Sequence, residues 1–122
     1  MAHYLIEVGY TPQSWSAQID KQANVVERIT PALNACGATL QSMYYAFGDV
    51  DLVGVIDFPT PEDAAAFALA VGSSGALRLY RTTPLLSVEQ GIDSMRRAEA
   101  LRQGHDAVPA LRCLDDAAKT VA

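Results

Sequence analysis

The chain has 122 residues, room for one domain with one core, and half of them are apolar against 19% charged, which excludes a disordered chain. Fourteen acidic and nine basic residues leave a net charge of −5. That balance argues against a general nucleic-acid binder, which needs a positive face to displace counterions from phosphates.

Residues 3–10 alternate, with Tyr4, Ile6, Val8 and Tyr10 on one side and His3, Leu5, Glu7 and Gly9 on the other. This period predicts a first strand and not a signal peptide. Thr11-Pro12 opens a helical region, Thr as cap and Pro at the first position. Val25, Val26, Ile29, Leu33 and Cys36 keep helical spacing, and Pro31 inside that pattern predicts either a kink there or a break nearer residues 21–24. Gly37 ends the helix. Residues 38–47 and 50–58 read as two strands joined at Gly48-Asp49, a hairpin. Thr60-Pro61-Glu62-Asp63 is a helix start with acids suited to the positive end of the dipole, and Ala64, Phe67, Ala68 and Val71 form its apolar face. Gly72-Ser73-Ser74-Gly75 stops it, and residues 76–82 form a fourth strand. Ser87 caps a third helix with Gln90 placed for a capping box, and Ile92, Met95 and Leu101 line one side. Gly104-His105-Asp106 breaks the chain before a last helix over residues 108–119.

The order β-α-β-β-α-β followed by helices predicts an α+β ferredoxin-like sandwich, an antiparallel sheet with helices on one face. Residues 1–90 would be that domain and 91–122 a C-terminal helical extension of it. The third strand puts Val50, Leu52, Ile56 and Phe58 on one side and Val53 and Val55 on the other, between Asp51 and Asp57. Both faces are therefore apolar, and soluble monomers rarely expose such a patch. A second copy, sheet against sheet, is the favoured cover, and folding back of the C-terminal helices is the rival.

The sequence also resembles the GYD-domain family. Gly9-Tyr10-Thr11-Pro12, the stretch Tyr45-Ala46-Phe47-Gly48-Asp49-Val50-Asp51, and Gly75-Ala76-Leu77-Arg78 with Thr82 carry the resemblance, over about residues 3–90. Val50 stands where the family usually has Tyr, which keeps a strand former and loses a hydroxyl. The resemblance implies a dimeric α+β barrel and no established activity.

Five residues form the candidate ligand site in a cavity between two sheets: Glu7, Asp51, Arg78 and Tyr80 by strand parity, and Tyr45 as the favoured one of the adjacent pair Tyr44-Tyr45, of which one faces each way. If Leu77 and Leu79 face the helices, Arg78 and Tyr80 face the cavity. Asp51 would be a base or an anchor there, or, as the favoured structural reading, an acceptor for backbone N–H groups or a partner of arginine. Arg78 could fork onto a carboxylate ligand, with pairing to Glu7 or Asp51 the stronger expectation. His3 and Trp15 read as a hydrogen-bonded structural residue and as helix packing. No phosphate loop, GxSxG elbow or HExxH is present, so neither cofactor nor metal is expected. Cys36 and Cys113 lie in no CxxC pair; without a leader they read as reduced thiols of a cytoplasmic protein, Cys36 packed and the slower to react. No apolar run reaches the ~20 residues of a membrane span. The leading functional reading is a self-associating module that binds a small ligand with an apolar body and one polar end. Two others stay open: a cofactor-free enzyme of the dimeric-barrel type, a small monooxygenase or isomerase, using His3, Asp51 or Tyr45, and a purely structural oligomerisation domain.

Overall fold

The computed structural model describes residues 1–104. The expected last helix and Cys113 lie outside the described residues. The chain divides into two compact units, the first Met1–Leu85 and the second starting at Leu86.

The first unit has the order β1 (Ala2–Tyr10), α1 (Pro12–Lys21), α2 (Val25–Ala35), β2 (Thr39–Tyr45), β3 (Leu52–Phe58), α3 (Pro61–Gly72) and β4 (Leu77–Leu85). The four strands form one sheet in the order β2-β3-β1-β4, all neighbours antiparallel. This is the ferredoxin-like sandwich of two interleaved split β-α-β units: each helical crossover joins two strands that are not neighbours, β1 to β2 around β3 and β3 to β4 around β1. Tyr4, Ile6, Val8 and Tyr10 of β1, Leu52, Ile56 and Phe58 of β3, and Val25, Leu33, Ala64 and Phe67 of the helices form the buried core. Phe58 is fully buried, its ring packed edge-on against Tyr4 and tilted against Phe67.

The first crossover breaks at residues 22–24, the second of the two expected places. Gln22 adopts a left-handed φ of 52° and ends α1, and the Asn24 side chain caps α2 by accepting from the Val26 and Glu27 amides. Pro31 stays inside α2 on its exposed side, where water can serve the carbonyl that proline leaves without a donor. Thr60 and Thr11 cap their helices through the side-chain oxygen, as their sequence positions imply.

Two strands depart from simple alternation. Gly9 pairs with Leu79 while Tyr10 pairs with Leu77, so Arg78 is an extra residue on β4. Leu40 pairs with Ile56 while Ser42 pairs with Val55, so Gln41 is an extra residue on β2. Each bulge shifts parity for the rest of its strand. The second unit contains α4 (Val88–Gln103), which starts with the expected Ser87–Gln90 capping box and carries Asp93–Arg97 and Glu99–Arg102 ion pairs along itself.

Candidate functional site

The bulges redistribute the five candidate residues over both faces of the sheet. Tyr80 pairs with Val8 on the helix side, and Leu79 turns to the opposite face, the reverse of the alternation expected from Leu77. Tyr45 pairs with Leu52 and also lies on the helix side, so the tyrosine on the far face is Tyr44. Glu7, Asp51 and Arg78 share the far face, but not with Tyr45 or Tyr80.

Asp51 and Arg78 belong to a joint at one end of the sheet. The buried Asp51 carboxylate accepts from the Tyr10 amide at 2.8 Å and meets the Arg78 guanidinium at 3.4 Å. Arg78 also donates to the Asp49 carbonyl at 3.0 Å. The guanidinium crosses β1 directly over Gly9; a Cβ there would lie 2.7 Å from its central carbon, so a larger residue would push the guanidinium off this path. Thr11 donates its amide to the Ala76 carbonyl at 3.0 Å.

Beyond this joint, the far face carries a second polar chain. Gln41 donates to one Asp57 oxygen at 2.5 Å, and His3 Nδ1 meets the other. Between the two lie Leu5, Val53, Val55 and Leu79, each half-buried.

Concave features of this unit lie on the helix side. A cleft of about 340 Å³ runs between the sheet and its helices, with Ile6, Val8, Leu52, Ile56, Phe67 and Leu77 among its walls. Its origin is in α1, which sets Ser14, Ala17, Gln18 and Lys21 toward the cleft and buries no residue at all, leaving its Ile19 exposed. Small and polar side chains laid over large apolar ones leave the space between them unfilled. A second hollow of about 410 Å³ shares Gln18, Val25, Met43 and Leu52 with the first and reaches Tyr45. Beside it stands an aromatic stack. Trp15 packs edge-on against Tyr10, and Phe47 stacks on Tyr45 and on Trp15 with centroids 5.6 and 6.0 Å away. Phe47 holds a φ of 53°, a left-handed conformation costly for a residue with a side chain.

Two phenols line the cleft. Tyr10 is held above the ordinary tyrosine pKa by burial, opposed by the nearby Arg28 guanidinium. Burial pushes Tyr80 up to about 12 against a smaller pull from the Thr82 hydroxyl, and neither of these buried hydroxyls makes a well-formed hydrogen bond. Unfolded tyrosine ionises near 10, so the folded state holds this proton longer than the unfolded state does. Stability is therefore unaffected below about pH 10 and falls as pH rises toward about 12. Urea unfolding at roughly pH 9 and pH 11.5 should show this loss, and Tyr80→Phe should reduce it.

A family model described as the GYD domain matches residues 4–95. The chain belongs to the GYD-domain family. The three stretches that carry the resemblance meet at the joint just described: Gly9 and Tyr10, Asp51, and Arg78. In this GYD domain they hold strand ends together, and the cleft is built from other residues. No curated protein matches the chain. A solved structure titled "crystal structure of FFRP-DM1" is similar at 15% identity, covering 70% of this chain and 100% of that one with a TM-score of 0.46, too distant to bear on function. Among the described residues no cluster of three or more His, Cys, Asp or Glu could hold a metal, and no helix is long and apolar enough to cross a membrane.

Strand parity missed Tyr10, Gln18 and Arg28 as cleft residues. A signal was present in α1, whose sequence offers only Trp15 and Ile19 as large apolar side chains to cover four apolar residues of β1.

Proposed function

We propose that this GYD domain is a small-molecule-binding module, that its ligand enters the cleft between helices and sheet, and that copies associate through the opposite sheet face. The cleft carries the reading: an apolar-walled space with Arg28, Lys21, Gln18 and Ser14 lining it as well suits a ligand with an apolar body and one polar end. The half-buried Leu5, Val53, Val55 and Leu79 support self-association, as does the barrel dimer that the family resemblance implies. Cys36, a free half-buried thiol that donates to the Leu33 carbonyl, fits a reducing cytoplasm.

Nile red, a neutral apolar dye, tests the binding claim. It should bind the native protein with a blue-shifted emission. Val71→Phe, which adds a ring to the α3 wall of the cleft, should weaken it at least ~10-fold while leaving far-ultraviolet circular dichroism unchanged. Dye binding that Val71→Phe leaves intact would contradict the assignment.

A second reading, acid–base catalysis without a cofactor, is favoured by the His3–Asp57–Gln41 chain. A carboxylate on Nδ1 fixes the tautomer that leaves a lone pair on Nε2. It places substrate on the sheet face that the first reading gives to a second copy, so burial of His3 on association separates the two.

A further inference from the structure

We infer that the cleft selects an anionic amphiphile, a carboxylate with an extended apolar tail, and that Arg28 receives its head group beside Tyr10. This rests on the cleft being a ligand site and adds the ligand's class.

Charge complementarity carries the inference. The protein has an excess of five negative charges, yet the charged side chains that line this cleft are Lys21 and Arg28. Among the described residues no carboxylate forms an ion pair with either, although Asp20 and Glu27 are their immediate chain neighbours. Arg28 instead has neutral neighbours: it donates to Gln18 Oε1 at 3.4 Å, and its charge acts on the Tyr10 hydroxyl. These leave donors of its five-fold fork for a bidentate guest.

The helix does not account for a cation at this place. Arg28 lies in the first turn of α2, its amide donating to the Asn24 carbonyl. A positive charge there opposes the helix dipole, whereas an anion in front of it is favoured. The Tyr10 phenol stays protonated at neutral pH and supplies an O–H donor on the same wall. Behind these groups the cleft is walled by Ile6, Val8, Leu52 and Leu77, which offer a tail nothing but apolar contact. An alcohol of the same length would gain the tail contacts and not the charged ones.

Displacement of Nile red by decanoate and by decanol from the full-length chain tests this. Decanoate should displace the dye at a concentration at least ~10-fold below decanol, the scale of one charge-assisted hydrogen-bonded pair. Arg28→Gln should remove that preference and leave displacement by decanol unchanged, and Arg28→Lys should restore part of it. Equal displacement by both compounds, or by neither, overturns the inference while Val71-sensitive dye binding keeps the cleft as a site. A preference for decanoate that survives in Arg28→Gln and in the Lys21→Gln, Arg28→Gln double variant also overturns it, because the head group then sits elsewhere. Dye binding that ignores Val71→Phe fails the site itself, and the inference with it.

Discussion

Asp51→Ala should lower stability by about 3 kcal/mol, a fall in Tm of roughly 10–20 °C for a domain of this size. The carboxylate accepts the buried Tyr10 amide, and alanine leaves that donor without a partner. It also removes the anion that Arg78 reaches. The two ends of the ion pair differ in what they contribute. Asp51 is buried with a side chain 12% exposed, whereas the Arg78 side chain is 45% exposed and can return its charge to water. Arg78→Met should therefore cost about 1 kcal/mol or less. Asp51→Asn, which keeps an acceptor for the amide, should fall between them. Thermal unfolding followed by circular dichroism ranks the three; equal losses for Asp51→Ala and Arg78→Met would show that the pair, and not the backbone amide, carries the stability.

Val53→Lys should weaken self-association by roughly 100-fold or more, because a copy packed on this face would bury an ammonium group with no partner across the interface. The monomer should tolerate the change. Val53 pairs with Glu7 on β1, so lysine gains an opposite charge directly across the strand pair. Sedimentation equilibrium at micromolar concentration should find a dimer or larger species for the native chain and a monomer for the variant. Ile19→Lys, on the exposed side of α1, is the control and should leave the assembly intact. A native chain that sediments as a monomer would remove self-association from the function proposed here.

Element order and core were legible because they depend on period and caps alone. Tyr4, Ile6, Val8 and Tyr10 alternate without interruption and all four are buried, and Thr11, Thr60 and Ser87 cap the helices their positions predict. The site was not legible, for a specific reason. Plain alternation from Leu77 does not hold along β4, nor does it hold along β2, because Arg78 and Gln41 are each the extra residue of a bulge. One unpaired residue turns every later side chain to the other face, which moved Tyr45 and Tyr80 to the helix side. Neither bulge has a glycine at the extra position to mark it. The contact of Asp51 with Arg78 was legible, because the hairpin end brings a carboxylate and a guanidinium to one corner. The cleft depends on what α1 fails to fill, a matter of volume between layers that periodicity does not register.

The division of the sheet into a ligand face and an association face is tested most directly by methyl nuclear magnetic resonance on the native chain titrated with decanoate. The methyl groups of Ile6, Val8, Leu52 and Leu77, which wall the cleft, should shift in a saturable manner. Those of Leu5, Val53 and Val55 on the opposite face should not follow the ligand, and should respond instead to dilution of the protein. Saturable shifts confined to Val53 and Val55, with the cleft methyls unmoved, would contradict the assignment and return the ligand to the space between two sheets.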